Sequence, residues 1–310
     1  MKVEVVLTEA DITQEFVEAM EARDVPEKFF FWSPRAAAAW RALTQDAALY
    51  GGLAATWHEI ASSADGLARH FGGRAPVISF GAGDGARDLA LMCALKAAGC
   101  ECTYFPVDAS QCLLEAACAA AEDEDIEAVG IKTDISSPVH LVYAADAADA
   151  PRLFLMAGNT LGAFDPLSEI RYIAQFIKPG DRLIIDTELY DPERTLALRA
   201  QPAARRFAWE FLGSMGIGED DGEVRYDQKR DERRAGLHLI TRYFRASRDV
   251  TAIVGGHSLA LERGERMGLN FQYACTPEAF HWLLADHGGL TIAQEYRSPD
   301  GRFLTAVCRR

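Results

Sequence analysis

The sequence predicts an α/β fold with a Rossmann-like, largely parallel sheet, and three observations support this prediction. Short apolar runs alternate with helical patterns from Pro76 onward, a glycine-rich segment follows the first of these runs, and a Ser-Pro-Asp-Gly turn at 298–301 joins the last two. Strands that are separated by helices pair in parallel through crossovers. The short final turn instead predicts that the last strand runs antiparallel to its neighbour.

The composition limits the class of protein and its partners. The 310 residues are 49% apolar and 25% charged, as in globular proteins, and their number suits one large domain or two modest ones. No run approaches the ~18 apolar residues of a membrane span, and the N-terminus shows no signal-peptide pattern. We therefore expect a soluble, cytoplasmic protein with no membrane partner. The formal net charge of −14 disfavours a nucleic-acid partner.

Neither a metal site nor a disulfide is predicted. The seven cysteines are odd in number and include no Cys-x-x-Cys pair, and no two of the seven histidines stand at His-x-His or His-x-x-x-His spacing. We expect reduced thiols that pack as small apolar groups.

The first 70 residues are expected to be mostly helical. One helix follows Thr8, a second spans about 35–48 and ends near Gly51-Gly52, and a third covers about 53–70. An aromatic run, Phe29–Trp32, precedes the second helix. This run predicts either plain core packing or an aromatic wall over a ligand.

Five buried strands are expected in the central part of the chain, separated by helices. They are VISF, TYFPVD, AVGIKTD, RLFLMAG and RLIIDTEL. After residue 191 the pattern changes to one charged helix and two further strands, LHLITRYFRA and TAIVGGHSLALE. The C-terminal part returns to the earlier pattern, with the helix TPEAFHWLLADHG and the hairpin strands LTIAQEY and RFLTAVCRR.

This organisation predicts two lobes. Segments 66–195 and 273–310 are expected to form the sheet domain, and segments 1–65 and 196–272 a second lobe that binds the substrate. A parallel sheet that ends in an antiparallel hairpin is the architecture of class I methyltransferases. In open α/β sheets, ligands bind outside the carboxyl ends of the strands.

Ligand-type residues stand at four successive predicted strand ends. The small residues of SFGAGDG at 79–85 would let a ligand approach the backbone, although a tight strand–helix turn is the alternative explanation. Asp108 can accept two ribose hydroxyls, Asp134 can accept an adenine amino group, and the Gly158 loop would lie beside the reacting group. The first loop lacks the third glycine of GxGxxG, which favours S-adenosylmethionine over NAD as the cofactor.

Six motifs spread over nearly the whole chain resemble one family. They are VPEKFFF, FGAGDG, YFPVDAS, RLFLMAGNTLGAFDP, KPGDRLIIDTEL and TPEAF…RSPDGRFLTAV, of which RLFLMAGNTLGAF is the most specific. The sequence is similar to the histidine Nα-methyltransferases of ergothioneine biosynthesis, which implies a two-lobed fold and S-adenosylmethionine as cofactor. The family's lysine after the glycine loop is Arg87 here. The candidate cofactor-binding residues are Gly81, Ala82, Gly83, Arg87, Asp108, Ala109, Asp134, Ile135, Gly158 and Asn159.

The five candidate substrate-binding residues depart from that family. Its amino-acid-binding asparagine is Ala163 here, and its imidazole-reading glutamate and serine are Asn270 and Gln272. An early tyrosine corresponds to Phe31, and one of two paired tyrosines is retained as Tyr50. A carboxylate that binds an imidazole N–H contributes about 1.5–3 kcal/mol. Its loss predicts an acceptor other than free histidine.

The predicted activity is S-adenosylmethionine-dependent methyl transfer to the amine of a small amino-acid-like substrate. Asn159 and Tyr50 are the candidate catalytic residues, and Phe31 or Trp32 would stabilise the cationic sulfur through its π face. Three alternatives stay open: another displacement such as ring closure, a non-catalytic partner subunit, and an NAD-dependent oxidoreductase. A monomer or a homodimer is expected, with a protein partner left open.

Overall fold

The structure, a computed structural model, describes residues 1–310. Its strands are β1 Lys2–Val5, β2 Asp24–Val25, β3 Arg74–Phe80, β4 Glu101–Asp108, β5 Glu127–Lys132, β6 Leu153–Met156, β7 Arg182–Glu188, β8 Gly222–Arg230, β9 Leu237–Ala246, β10 Val250–Val254, β11 His257–Leu261, β12 Arg266–Cys275, β13 Thr291–Arg297 and β14 Phe303–Arg309.

The α-helices lie around and between these strands. They are α1 Glu9–Glu21, α2 Pro34–Thr44, α3 Ala47–Ser62, α4 Ala64–Phe71, α5 Ala86–Ala97, α6 Gln111–Asp123, α7 Pro138–Ala145, α8 Pro166–Phe176, α9 Pro192–Arg199, α10 Pro202–Ser214 and α11 Pro277–Trp282. Short 3₁₀ helices cover Glu27–Phe31, Thr160–Ala163 and Glu219–Asp221, and a π-helical turn covers Leu283–His287. No helix combines the length and the apolar character that a membrane span requires.

Eight strands form the central sheet in the order β1-β5-β4-β3-β6-β7-β14-β13. The first six pair in parallel, and β14 runs antiparallel to both β7 and β13. The predicted α/β fold, its five buried strands and its antiparallel C-terminal hairpin are therefore confirmed. The strand order reverses between β3 and β6, so the carboxyl ends of these strands flank the crevice in which such sheets bind ligands.

The first 70 residues are mostly helical, as expected, but a strand that the sequence did not predict precedes the first helix. Strand β1 is a parallel edge strand in which Lys2 pairs with Val129 and Val5 with Lys132. Four residues, KVEV, are too few to show a clear period, and a helix start follows them directly. Pairing with β5, a segment more than 120 residues away, decides the conformation here.

The helix break expected at Gly51-Gly52 lies instead at Asp46. The Asp46 carboxylate accepts hydrogen bonds from two N–H groups in the first turn of α3 and caps that helix. Gly52 is helical, and a Cβ added to it would lie 2.5 Å from the carboxyl group of Asp300. The glycine therefore allows α3 to approach the 298–301 turn.

The segment 191–270 contains more elements than its pattern predicts. The expected single helix is two helices, α9 and α10, because Pro202 begins a new helix. The expected strand 251–262 is the hairpin β10–β11, which turns at Gly255-Gly256 with φ angles of 55° and 83°. Strands β8 and β12, which the sequence did not predict, flank β9 in a second sheet of order β2-β12-β9-β8.

Three clusters of buried apolar side chains join these layers. Two of them include side chains of the central sheet, and one of these two also includes α3 and α4. The third joins α1, α2 and α10 to the second sheet, and in it the rings of Phe30 and Phe211 stack with centroids 3.8 Å apart. Helices α3 and α4 thus pack against the central sheet, and strand β1 is part of it. The division of the chain into two lobes stays a prediction.

A buried ion pair joins the amino-terminal ends of β6 and β7. Arg152 is 1% exposed and Asp181 0%, and Nη2 lies 2.7 Å from Oδ2. Arg152 also donates hydrogen bonds to the carbonyl groups of Ala145 and Phe176, at the C-terminal ends of α7 and α8. One guanidinium therefore holds two strands and two helices together.

We expect Arg152→Met to lower the free energy of unfolding by about 3–5 kcal/mol, because the Asp181 carboxylate would stay buried without its partner. Urea titration followed by circular dichroism measures this loss. The control is Arg225→Met, which removes an exposed guanidinium paired with Glu223 and should leave the denaturation midpoint unchanged. An equally small effect in both variants would contradict the importance of the buried pair.

A second buried carboxyl group, that of Glu169 in α8, has no charged partner. Its side chain is 3% exposed and its Oε1 atom makes no hydrogen bond. Burial, with a smaller contribution from the Asp134 charge, raises the pKa of Glu169 to about 8. Glu169 therefore carries a proton at neutral pH in the folded protein.

Glu169 makes folding sensitive to pH. Above its usual pKa of 4.5 the unfolded chain releases this proton, whereas the folded protein keeps it up to about pH 8. This difference lowers the free energy of unfolding by about 1.4 kcal/mol per pH unit between those values. Urea titrations across this range should show that Glu169→Gln removes part of the decline. The control variant Glu193→Gln, at an exposed position, should retain the whole decline of the free energy of unfolding with pH. Identical slopes in the two variants would exclude Glu169 as the cause of that decline.

Candidate active site

The glycine loop after β3 has no room for a side chain at Gly81 or Gly83. The φ angles of Gly81 and Gly83 are 65° and 57°, in the left-handed region that favours glycine. A Cβ at Gly81 would lie 2.6 Å from the Thr160 methyl group, and one at Gly83 would lie 2.2 Å from the Trp40 indole. The N–H groups of Gly81 and Ala82 donate to the Val107 carbonyl, so the loop folds back onto the end of β4.

Asp108, the last residue of β4, binds the same loop through its carboxylate. Its Oδ2 atom accepts the Gly83 N–H at 2.9 Å, and its Oδ1 atom accepts the Ser110 N–H at 2.9 Å. Each oxygen keeps a second lone pair. Burial raises the pKa of Asp108 and these N–H donors oppose the rise. The carboxyl group can therefore both hold the loop and accept two ribose hydroxyls.

Asp134, which follows β5, is more fully engaged than the sequence suggests. Its Oδ1 accepts both the N–H and the hydroxyl of Ser136, and its Oδ2 pairs with the Lys28 ammonium. Burial raises the pKa of Asp134, but Lys28 and Ser136 outweigh it and the net pKa is lowered. One lone pair on Oδ2 remains for an adenine amino group. Ile135 lines the same cavity.

The loop after β6 is fixed by Asp186 of β7. The Asp186 carboxylate accepts the N–H groups of Gly158 and Asn159, as well as the indole N–H of Trp57. Asn159 has a φ of 63°, and its Oδ1 accepts the Glu188 N–H at 2.8 Å. The side-chain amide nitrogen of Asn159 makes no hydrogen bond with the protein and is left to donate to a ligand.

Arg87, at the start of α5, supplies the positive charge in this region. Its guanidinium carbon lies 5.6 Å from the centre of the Tyr50 ring. A Cβ at Gly158 would come within 3.2 Å of its Nη1 atom, so Arg87 lies directly against the β6 loop. Its Nε is buried and makes no hydrogen bond. A carboxylate beside it would be paired with an otherwise free cation.

The structure brings all ten candidate cofactor-binding residues to the wall of one cavity. We call this the cofactor cavity. Four of the five candidate substrate-binding residues also line it: Phe31, Tyr50, Ala163 and Gln272. Asn270 does not, and belongs to the neighbouring cavity. No group of three His, Cys, Asp or Glu side chains is placed to hold a metal ion.

We call a second, neighbouring cavity the acceptor cavity. Its wall includes Asn270 and Gln272 of β12, and apolar side chains from α2, α10 and the second sheet. Asn270 has a φ of 69° at an irregularity in the pairing of β12 with β9. The two cavities share part of their walls, and the shared residues are Glu27, Trp40, Tyr50 and Gln272.

A buried ion pair supports the acceptor cavity. Both carboxylate oxygens of Glu188 accept hydrogen bonds from Arg199, at 3.0 and 2.6 Å. Burial raises the pKa of Glu188, but Arg199 outweighs it and the net pKa is lowered. Arg199 also donates to Oε1 of Gln272 at 2.8 Å. One lone pair of the Gln272 amide oxygen is therefore taken, and its nitrogen is free to donate to a ligand.

The aromatic run divides between its two predicted roles. Phe29 and Phe30 are buried in the core cluster, whereas Phe31 lines the cofactor cavity. Trp32 lines neither cavity, and its indole N–H donates to Glu9 at 3.1 Å. The alternative in which Trp32 stabilises the cationic sulfur is therefore wrong in this structure, while the role of Phe31 stays a prediction.

Several residues at the two cavities were missed by reasoning from the sequence. Glu27 and Lys28 stand in the motif VPEKFFF, directly before the aromatic run. This motif was the one feature of the sequence that could have pointed to them. Trp40 and Arg242 lie in a helix and a strand with no motif around them. Their place in the site becomes visible only when α2 and β9 are packed against the sheet.

The sheet order, the antiparallel hairpin and the ligand-type residues at four strand ends are those of a class I methyltransferase. The chain belongs to the family of histidine-specific, S-adenosylmethionine-dependent methyltransferases, whose family model matches residues 9–310. The protein is therefore an S-adenosylmethionine-dependent methyltransferase. No curated protein matches the sequence.

The solved structures similar to the chain include S-adenosylmethionine-dependent methyltransferases. One from Clostridium acetobutylicum ATCC 824 is 14% identical, with 82% of this chain and 90% of that chain covered and a TM-score of 0.45. The amino pentose methyltransferase CalS10 from Micromonospora echinaspora, with S-adenosylmethionine bound, is 15% identical, with 85% and 95% covered and a TM-score of 0.41. The mitomycin 7-O-methyltransferase MmcR is 15% identical, with 98% and 69% covered and a TM-score of 0.40.

The cofactor cavity fits S-adenosylmethionine on its own chemistry. The glycine loop lines the cavity, the Asp108 oxygens keep free lone pairs, and the Arg87 guanidinium lacks a carboxylate partner. A ribose, an amino acid carboxylate and a purine amino group each find a complementary group on this wall.

We expect Asp108→Asn to weaken binding of S-adenosylhomocysteine by about 10- to 100-fold, because an amide replaces one charged acceptor of the ribose hydroxyls. Isothermal titration calorimetry measures the dissociation constant. The control is Asp123→Asn, at the exposed end of α6, which should bind like the parent protein. Unchanged affinity in a folded Asp108→Asn protein would show that Asp108 does not hold the ribose.

Proposed function

We propose that the protein methylates the amine of a small amino-acid-like acceptor, and that this acceptor is not free histidine. The observation that supports this most directly is the wall shared by the two cavities, formed by Glu27, Trp40, Tyr50 and Gln272. An acceptor in the second cavity would lie next to the cofactor. Methyl transfer depends mainly on holding the two reacting atoms in contact and in line.

S-adenosylmethionine, when bound, supplies an electrophilic methyl group on a cationic sulfur. The residues of the chain must hold the acceptor nitrogen in line with the S–C bond and must receive its proton, because only the neutral amine has a free lone pair. A proton acceptor is therefore needed at the shared wall.

Glu27 is the carboxyl group best placed to receive that proton. It lines both cavities, and its Oε2 atom is buried without a hydrogen-bond partner. Burial raises the pKa of Glu27, against the opposing attraction of the Arg242 guanidinium. A raised pKa makes a carboxylate a better proton acceptor for an amine. An amine N–H would also satisfy the unpaired oxygen.

Tyr50 and Asn159 would position the reacting groups. Tyr50 lines both cavities, and burial raises the pKa of its phenol, which keeps the hydroxyl protonated and able to donate. Asn159 is held rigidly by the Asp186 and Glu188 contacts, and its free amide nitrogen donates into the cofactor cavity. Both candidate catalytic residues therefore keep a role in this proposal.

The departures from the family at the acceptor positions argue against free histidine. Ala163 has no polar group with which to hold an amino-acid head group. The Oδ1 atom of Asn270 accepts the N–H of Phe271, and the Oε1 atom of Gln272 accepts a hydrogen bond from Arg199. Neither amide replaces a carboxylate that binds an imidazole N–H.

The direct test incubates the protein with S-adenosylmethionine and the proteinogenic amino acids, histidine included, together with their decarboxylated amines. Mass spectrometry identifies any N-methylated product and counts its methyl groups. The proposal expects methylation of at least one amine and no methylation of histidine. Binding of S-adenosylhomocysteine with no methylated product from any amine would favour another displacement or a non-catalytic role.

We expect Glu27→Gln to lower kcat for the accepted amine by about 100- to 10,000-fold, the range for loss of a general base. Affinity for S-adenosylhomocysteine, measured by calorimetry, should stay unchanged. The control is Glu21→Gln, at the exposed end of α1, which should keep full activity. If Glu27→Gln retains the parent kcat across the pH range, Glu27 is not the proton acceptor.

A further inference from the structure

The acceptor cavity carries an excess of positive charge. Its charged lining residues are three arginines and two glutamates: Arg199, Arg242, Arg302, Glu27 and Glu188. The chain as a whole has a net charge of −14, so the charge of this cavity is opposite in sign to the net charge of the protein. A cavity of this sign attracts an anionic group.

Two of these arginines are already engaged by the protein. Arg199 binds both carboxylate oxygens of Glu188 and the side chain of Gln272. Arg302 donates to the backbone carbonyl of Leu49 at 2.6 Å, and its Nη2 lies 3.7 Å from Glu188. The carboxylate of Glu188 is therefore neutralised, and neither guanidinium has its full fork of donors available.

Arg242 of β9 differs from both. Its Nε donates to the Leu269 carbonyl at 3.0 Å, and its guanidinium lies over the Phe30 ring, 4.2 Å from the centroid. It forms no ion pair, and its Nη1 and Nη2 atoms make no hydrogen bond with the protein. The planar cation is thus fixed in orientation on the cavity wall with its two terminal nitrogens unpaired.

Glu27 complements this free cation. It lines the same cavity and forms no ion pair with Arg242, so both charged groups lie on the wall of this cavity without being paired to each other. Glu27 also reaches the cofactor cavity, whereas Arg242 does not. A molecule with an amine at one end and an anionic group at the other would match this arrangement, with the amine towards the cofactor.

We infer that Arg242 binds a carboxylate of the acceptor, and that the substrates are amines carrying a free carboxylate. The terminal nitrogens of a guanidinium match the two oxygens of a carboxylate in a bidentate pair. Because the side chains around Arg242 are apolar, an unpaired charge of either sign has a high free-energy cost there. This cost favours acceptors that supply the opposite charge. This inference rests on the proposed amine methylation and adds to it a required acid group.

The test measures binding separately from turnover. With S-adenosylhomocysteine present, the Tm of the protein is recorded after each candidate ligand is added. The candidates are the proteinogenic amino acids, their α-carboxamides, β-alanine and γ-aminobutyrate. The acid that raises Tm most is then titrated by calorimetry into the parent protein and into Arg242→Gln, Arg242→Lys and Arg245→Gln. Arg245 is an exposed residue of the same strand and serves as the matched control.

The inference expects the free acid to bind and its carboxamide not to bind. Arg242→Gln should weaken binding of the acid by about 10- to 100-fold, Arg242→Lys should weaken it less, and Arg245→Gln should leave it unchanged. Arg242→Lys also covers the case in which Arg242→Gln does not fold. Equal binding of acid and amide, unchanged binding in both Arg242 variants, or no binding of any acid would overturn the inference.

The two proposals fail in different ways. Methylation of an amine in a reaction that tolerates the carboxamide would keep the proposed function and overturn the role of Arg242. Arg242-dependent binding of a free acid that is never methylated would keep the role of Arg242 and overturn the proposed amine methylation.

Discussion

The buried carboxylate of Asp186 is the contact on which the candidate active site depends most. It has no exposed surface, and its oxygens accept hydrogen bonds from Gly158, Asn159 and Trp57. These donors belong to the loop after β6 and to α3, so one side chain of β7 fixes a strand end, a loop and a helix. Its replacement would leave three buried N–H groups without a charged acceptor. Together with the Glu188 N–H, which donates to Oδ1 of Asn159, this carboxylate fixes Asn159 at the cofactor cavity.

The central sheet could be predicted because its strands are buried on both faces. Strands β3 to β7 are short apolar runs between helices. This pattern can be recognised in each strand without knowing which strands it pairs with. The other strands depend on their partners. β1 is a short edge strand, β8 alternates exposed and half-buried residues at an edge, and β12 contains the irregularity at Asn270. Local sequence carries little information about such pairings.

The cofactor cavity was more predictable than the acceptor cavity for a geometric reason. Parallel strands bring their carboxyl ends to one edge, so residues such as Asp108 and Asp134 can be grouped from their position after a strand. Glu27, Trp40 and Arg242 come from a 3₁₀ helix, an α-helix and a strand of the second sheet. No spacing rule joins these three segments, and only the packing of the second sheet and α2 against the central sheet brings them together.

Trp40 belongs to the walls of both cavities. Its indole lies against Gly83 in the cofactor loop and also forms part of the wall of the acceptor cavity. The ion pair between Arg41 and Asp84, at 3.1 Å, ties the same turn of α2 to that loop. A ligand that moves this indole in one cavity therefore changes the free energy of binding in the other, and the effect is equal in both directions. Coupling between the two cavities would then need only the displacement of a shared side chain such as Trp40.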